Sequence, residues 1–324
     1  MRITNSMMMN SMMRNMSKNL SRMSKTEENL ATGKNFLRPS DDPIGVSRSL
    51  RLNTDVANME QFKKNSEDAL SWINTTELAL NNVVDVLQRA RELTLQAANE
   101  TNSVDERKAI ATEIGQLKEQ LINIANTDYA GSYIFSGFKT NKPPVGTDGK
   151  YSFKENPSDP NQTLSATETI RFNVGISDRM GVNFTAQKIF GVTTATSTID
   201  DPINASANAT TGNTPQMMAV FDQLISDLQG DNTGGINDAV KRLDIQLNNA
   251  NSVRAEIGVK TNRLELTINR IDDDTINLKD LLSKNEDADI AEVIMNLKMQ
   301  ENVYKASLSG GANIIQPSLM DFLR

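Results

Sequence analysis

The chain has 324 residues, 38% hydrophobic and only 5% aromatic, with a formal net charge of −7 and neither His nor Cys. Without imidazole or thiol it lacks the usual neutral-pH general base, thiol nucleophiles, disulfides and thiolate metal sites. The acidic balance argues against bulk affinity for nucleic acid, and no apolar run approaches the ~20 residues of a membrane span.

The first 38 residues carry seven Lys/Arg against two Glu. Within them Met9, Met13, Met16, Leu20, Met23 and Leu30 follow a 4-3-4-3 rhythm broken at Glu27. That spacing predicts a helix from about Asn5 to Ala31 with a narrow apolar seam, as a coiled-coil partner needs. Eight of the fifteen Met fall in the first 23 residues. Thioethers adapt to surfaces that differ from site to site. The opening has no continuous apolar core of the kind a cleaved signal peptide carries. A membrane-surface helix is the competing reading, but the seam is narrow and has no bulky aromatics. Gly33 supplies a stop. Pro39, Ser40, Asp41, Asp42 and Pro43 then form a bend and a helix start, with Asp42 as N-cap and Pro43 at the first helical position.

A long helix is expected from Pro43 to about Ala98, with Leu70, Ile73, Leu80, Val84 and Leu87 as its stripe and a possible interruption at 53–55. If continuous it would span about 84 Å at ~1.5 Å per residue. Ser103 and Glu106 form a capping box. The helix that follows carries Ile110, Ile114, Leu117, Leu121 and Ile124 and ends near Asn126. The period then changes. Tyr129 to Phe138 reads as a strand or hairpin, Ile170 to Val174 as a strand, and 182–192 as one more. Residues 193–216 are rich in Thr, Ala, Asn and Ser and read as a loop or small exposed element. Helices resume at 216–228, 236–247 and 253–282, and a last one starts near Ala288. Along it Ile290, Ile294, Leu297, Tyr304, Leu308, Ile315 and Phe322 repeat the seam, interrupted at Glu301, Gly311 and Ser318. Residues 286–324 hold six acids and three bases. Opposite signs at opposite ends favour pairing of the two arms.

The fold class is therefore mainly α with a β-rich insertion: an elongated helical rod formed by the N- and C-terminal halves, with coiled-coil-like terminal helices. Three divisions follow. Residues 1–42 and 284–324 form a terminal helical assembly domain, 43–138 and 216–283 a helical rod domain, and 139–215 a β-rich outer domain. The arms before about Arg38 and after about Lys284 are expected to order on contact with partners.

Candidate sites of chemistry are few. Asp272 to Asp274 lack the Gly and spacing of a calcium loop and read as a solvated face. Asp41 and Asp42 are explained by capping rather than paired-carboxylate catalysis. Gly310 and Gly311 each cost a helix about 1 kcal/mol relative to Ala. Either the helix bends there, a neighbour comes very close, or the ordered helix ends at Leu308. No cofactor is expected, and no enzyme activity.

Several segments carry a resemblance: Leu30-Ala-Thr-Gly-Lys34, Arg38-Pro-Ser-Asp-Asp-Pro-Ile44, Glu256 to Leu264, Asp287 to Glu292, and the closing Leu319 to Arg324. Together these resemble the flagellin superfamily over roughly 1–140 and 250–324. Pro39 to Pro43 and Tyr133 to Thr140 are similar to its hook–filament junction branch. The resemblance implies export without a cleaved signal peptide to an extracellular flagellum. It implies self-assembly as a ring of about eleven subunits through the terminal helices. The implied partners are hook-associated protein 1, flagellin and a flagellar export chaperone. Flagellin itself, the bulk filament subunit, is the alternative, and a non-flagellar coiled-coil adaptor a third reading.

Overall fold

The computed structural model describes residues 5–99, 103–152, 168–191 and 214–315. Among them the elements run α1 (Asn5–Thr32), α2 (Pro43–Ala98), α3 (Val104–Ala125), β1 (Asp128–Tyr129), β2 (Ser132–Tyr133), β3 (Arg171–Asn173), β4 (Arg179–Gly181), α4 (Ala186–Phe190), α5 (Gln216–Gln229), α6 (Thr233–Glu286) and α7 (Ile290–Ile315). The protein is mainly helical with a small β insertion, and its first and last helices touch.

The chain divides into two compact units, residues 1–60 with 273–324, and residues 61–272. In the second unit α2 buries Ser66, Ala69, Ile73, Thr76, Leu80, Val83, Leu87, Ala90, Thr94 and Ala97. The steps alternate three and four, the period that keeps one seam facing a partner. Its polar members cost little. The hydroxyls of Ser66, Thr76 and Thr94 donate to the carbonyls of Phe62, Trp72 and Ala90. Asn53 to Asp55 do not interrupt the helix.

One helix, α6, replaces the two expected from 236 to 282. Its buried row passes through Ile236, Ala239, Leu243, Gln246, Ala250, Val253, Ile257, Leu264 and Thr267. The polar or small residues at 246 and 250 hid this continuity, because a search for large apolar residues stops there. Arg91 to Asp244 and Lys63 to Asp272 tie α2 and α6 in antiparallel order. The Ser103–Glu106 capping box opens α3, which packs on α5.

β1 and β2 form an antiparallel hairpin. Ala130 and Gly131 at its turn have φ of 51° and 77°, the sign a two-residue primed turn requires. β3 pairs with β4. The strand expected at 182–192 is corrected: the paired strand lies at 179–181, and 186–190 is the short helix α4. Ala186, Ile189 and Phe190 are all buried, a helical i, i+3, i+4 set rather than an alternation. The 193–216 reading lies largely outside the described residues.

Candidate assembly site

The two terminal helices and the linkers beside them lie in the first unit. α1 is a helix because its Met, Lys, Arg, Leu and Glu are good helix formers, and Gly33, at φ 71°, ends it. α7 starts where the Asp289 carboxylate accepts from the amides of Ala291 and Glu292. α1 and α7 pack against each other.

On α1 the half-buried positions are Met12, Met16, Asn19, Met23, Thr26, Asn29 and Leu30. On α7, Leu297, Gln300, Tyr304 and Ser307 are half-buried, and Val293 and Gly311 are buried. The Thr26 hydroxyl donates to the Gln300 side-chain oxygen at 3.1 Å. Met12 sits on Gly311, so close that a Cβ there would lie 2.9 Å from the Met12 Sδ. These two contacts fix an antiparallel register.

The expected seam residues are thereby divided. Met16, Met23, Leu30, Leu297 and Tyr304 line the α1–α7 contact. Met9, Met13, Leu20, Ile290, Ile294 and Leu308 are exposed, Met13 at 62% and Leu20 at 48%. Ile315 is the last residue of α7, but its side chain and all of Phe322 lie outside the described residues. The apolar pattern therefore has two flanks. One faces the partner helix within the chain, and the other faces outward. Reading the sequence for apolar residues alone merged the flanks, because Asn19, Thr26, Gln300 and Ser307 hold part of the contact with polar or small side chains.

Of the readings for the glycine pair, the structure has the close neighbour. α7 runs on to Ile315. Gly311 accepts Met12, and nothing lies within 4 Å of a Cβ on Gly310.

Below the helical pair, the linkers are joined like two strands. Lys34 and Asp287 form an antiparallel bridge. The Asn35 amide donates to the Glu286 carbonyl and the Ala288 amide to the Gly33 carbonyl, both at 2.8 Å. The Asn35 side chain adds a bond to the Asp287 carbonyl at 2.9 Å. Glu286 is 6% exposed. Its carboxylate accepts from the Ser49 hydroxyl at 2.6 Å and pairs with Lys34. A buried charge needs such partners. Asn285 donates to the Gly45 carbonyl at 3.0 Å, and buried Phe36 lies against Gly45.

Pro39, Ser40, Asp41, Asp42 and Pro43 form an exposed bend. Asp42 accepts from the Ile44 amide at 3.1 Å, and Pro43 opens α2. The Lys25 ammonium bonds the Asp41 carboxylate at 2.7 Å and holds its pKa below the ordinary value. The residues missed from sequence here are Phe36, Gly45, Ser49 and Glu286. An isolated Phe in a polar linker and a Gly inside the first helical turn were the available signals.

Asp272, the first of the acidic run, pairs with Lys63. Among the described residues no group of three or more Asp or Glu could hold a metal ion, and no helix is long and apolar enough to cross a membrane.

Comparison with known proteins places these features. Residues 3–140 match the bacterial flagellin N-terminal helical region and residues 240–323 the C-terminal helical region. The chain is 30% identical to flagellar hook-associated protein 3 of Escherichia coli strain K12, over 94% of this chain and 96% of that protein. It is 27% identical to a flagellin of Clostridium tyrobutyricum, over 89% and 92%. The crystal structure of flagellar hook-associated protein 3 from Legionella pneumophila superposes with a TM-score of 0.57 at 20% identity, covering 72% of this chain and 97% of that one. That likeness shows the fold.

Proposed function

Because the chain belongs to the flagellin superfamily, we propose that it is the junction subunit of a bacterial flagellum, forming the layer between hook-associated protein 1 and the flagellin filament. The observation that carries this is the match to a hook-associated protein 3 along nearly the whole of both chains. The outward apolar flanks of α1 and α7 supply the means. Met9, Met13, Leu20, Ile290, Ile294 and Leu308 would seat on neighbouring subunits. The exposed bend from Pro39 to Pro43, with the joined linkers beside it, would fix where the terminal pair departs.

In this reading 1–42 with 284–324 assemble, 43–138 with 216–283 form the next shell, and 139–215 faces outward. The ring has about eleven copies, and an export chaperone holds the subunit before its export to the cell exterior. A heterologous contact repeated about an axis needs no two-fold patch, which suits a subunit with unlike neighbours above and below.

The test is incorporation of labelled protein at purified hook tips, seen by microscopy. A junction subunit adds a limited layer after hook-associated protein 1 and then accepts flagellin. The alternative, flagellin, is favoured by the match to the Clostridium protein. It predicts long filaments of this chain alone on the same tips, an outcome that would overturn the junction reading.

A further inference from the structure

Eight methionines crowd the first 23 residues, and the assembly reading uses them only as packing material. One is placed differently from the rest. Met12 lays its thioether on the backbone of buried Gly311, where α1 and α7 come so near that a Cβ would be 2.9 Å from the sulfur. Met12 is not sealed in. It lines an open groove with Met7, Met8, Met16, Ser11 and Ser307, so a small oxidant in solvent reaches it. The hydroxyl of Ser307 donates to the Val303 carbonyl at 2.7 Å, so that hydrogen is committed and does not meet a new acceptor on the sulfur.

We propose that Met12 is a methionine-oxidation site whose sulfoxide opens the contact between α1 and α7. The oxidant class is a hydroperoxide, with hydrogen peroxide as the simplest member. The sulfur lone pair attacks the peroxide oxygen and an S–O bond forms as the O–O bond breaks. The proton passes to the departing oxygen, which leaves as water. Sulfur loses two electrons and the peroxide gains them. The product is polar and larger by one oxygen, at a seam that works because a flexible apolar chain fits against a bare backbone. Exposed Met7, Met8 and Met13 oxidise as well, and Met12→Leu, which keeps all three, separates their effect from that of Met12.

The test uses the full chain, treated with hydrogen peroxide and mapped by peptide mass, with amide exchange of α1 and α7 read before and after. The expected result is a sulfoxide at Met12 and loss of protection around Met12 and Gly311. Met12→Leu, close in volume and inert to peroxide, keeps its protection after the same treatment. Three results would overturn the proposal: Met12 unmodified at a dose that oxidises exposed Met295 and Met299; protection unchanged with Met12 fully oxidised; or Met12→Leu losing protection as the native chain does. The readout is the helix pair itself, so it is independent of the junction reading.

Discussion

At the scale of single residues, three glycines inside helices have three different reasons. Gly45 is crowded: a Cβ would sit 2.8 Å from the Phe36 ring and closer still to the Asp42 cap carboxylate. Gly45→Ala gains at most about 1 kcal/mol of helix propensity and meets an overpacking cost of ~1–3 kcal/mol. A lower denaturation midpoint is expected. Gly310→Ala meets nothing and should gain up to about 1 kcal/mol. The two substitutions therefore shift stability in opposite directions, and equal shifts would refute the packing account. Gly311 is the third case, held small by Met12. Charge gives a second residue-scale prediction. The Ser103 backbone amide, then its hydroxyl, hold the Glu106 carboxyl below its ordinary 4.5. Its support for the start of α3 is complete above that ordinary value and is lost as pH falls through the lowered one. Glu106→Ala should expose the Ser103 amide, which donates to the Glu106 carboxylate at 2.7 Å, to exchange at neutral pH and match the native chain in acid. An exchange difference that persists in acid would contradict the capping role.

At the scale of elements, the α1–α7 pair is thin. Its contact rows are mostly half-buried, whereas α2 and α6 carry fully buried rows. Burying a large aliphatic chain contributes about 1.5–3 kcal/mol, and half-burial correspondingly less. Amide exchange should therefore be faster along α1 and α7 than along 66–97 and 236–267. Equal protection would show that the terminal pair is as stable as the core. Charging one flank separates the two faces. Leu20→Glu lies outside the contact and should abolish incorporation with the melt unchanged. Met16→Glu lies inside it and should separate the helices. If Leu20→Glu lowers the melt, the outward flank has an intramolecular role. What the sequence revealed here follows the same physics. Long apolar periods gave α1, α2, α3 and α5 nearly to the residue, and the Ser103–Glu106 and Asp42–Pro43 signals gave helix starts. The signal failed where the seam is filled by small or polar groups: Gln246 and Ala250 in α6, and Asn19, Thr26 and Gln300 in the terminal pair. A side chain's place in a seam depends on what faces it, and that partner is distant in sequence.

At the scale of the molecule, the insertion is outward in the proposed assembly yet is not an appendage. Tyr151, Phe184, Ile189 and Phe190 belong to the same buried cluster as Leu80, Leu87, Leu121, Leu243 and Ile257 of the helices. The Tyr151 hydroxyl donates to the Gly191 carbonyl at 2.6 Å, and burial pushes its pKa well up. Asn249 of α6 donates to the Ile189 carbonyl at 2.8 Å. Phe184 carries the Lys260 ammonium 4.2 Å from its ring centre, a cation–π contact. Replacing 139–215 by a short flexible link would strip these groups from the helices. At about 1.5–3 kcal/mol for each large side chain, the loss approaches the whole 5–15 kcal/mol by which a domain is stable. The shortened chain should lose the cooperative melt of the 61–272 unit. Among the described residues, none of α1 or α7 belongs to that cluster, so their mutual contact should survive. A shortened chain that melts at the native midpoint would mean that the helices close their own core and that the insertion can be exchanged freely among relatives.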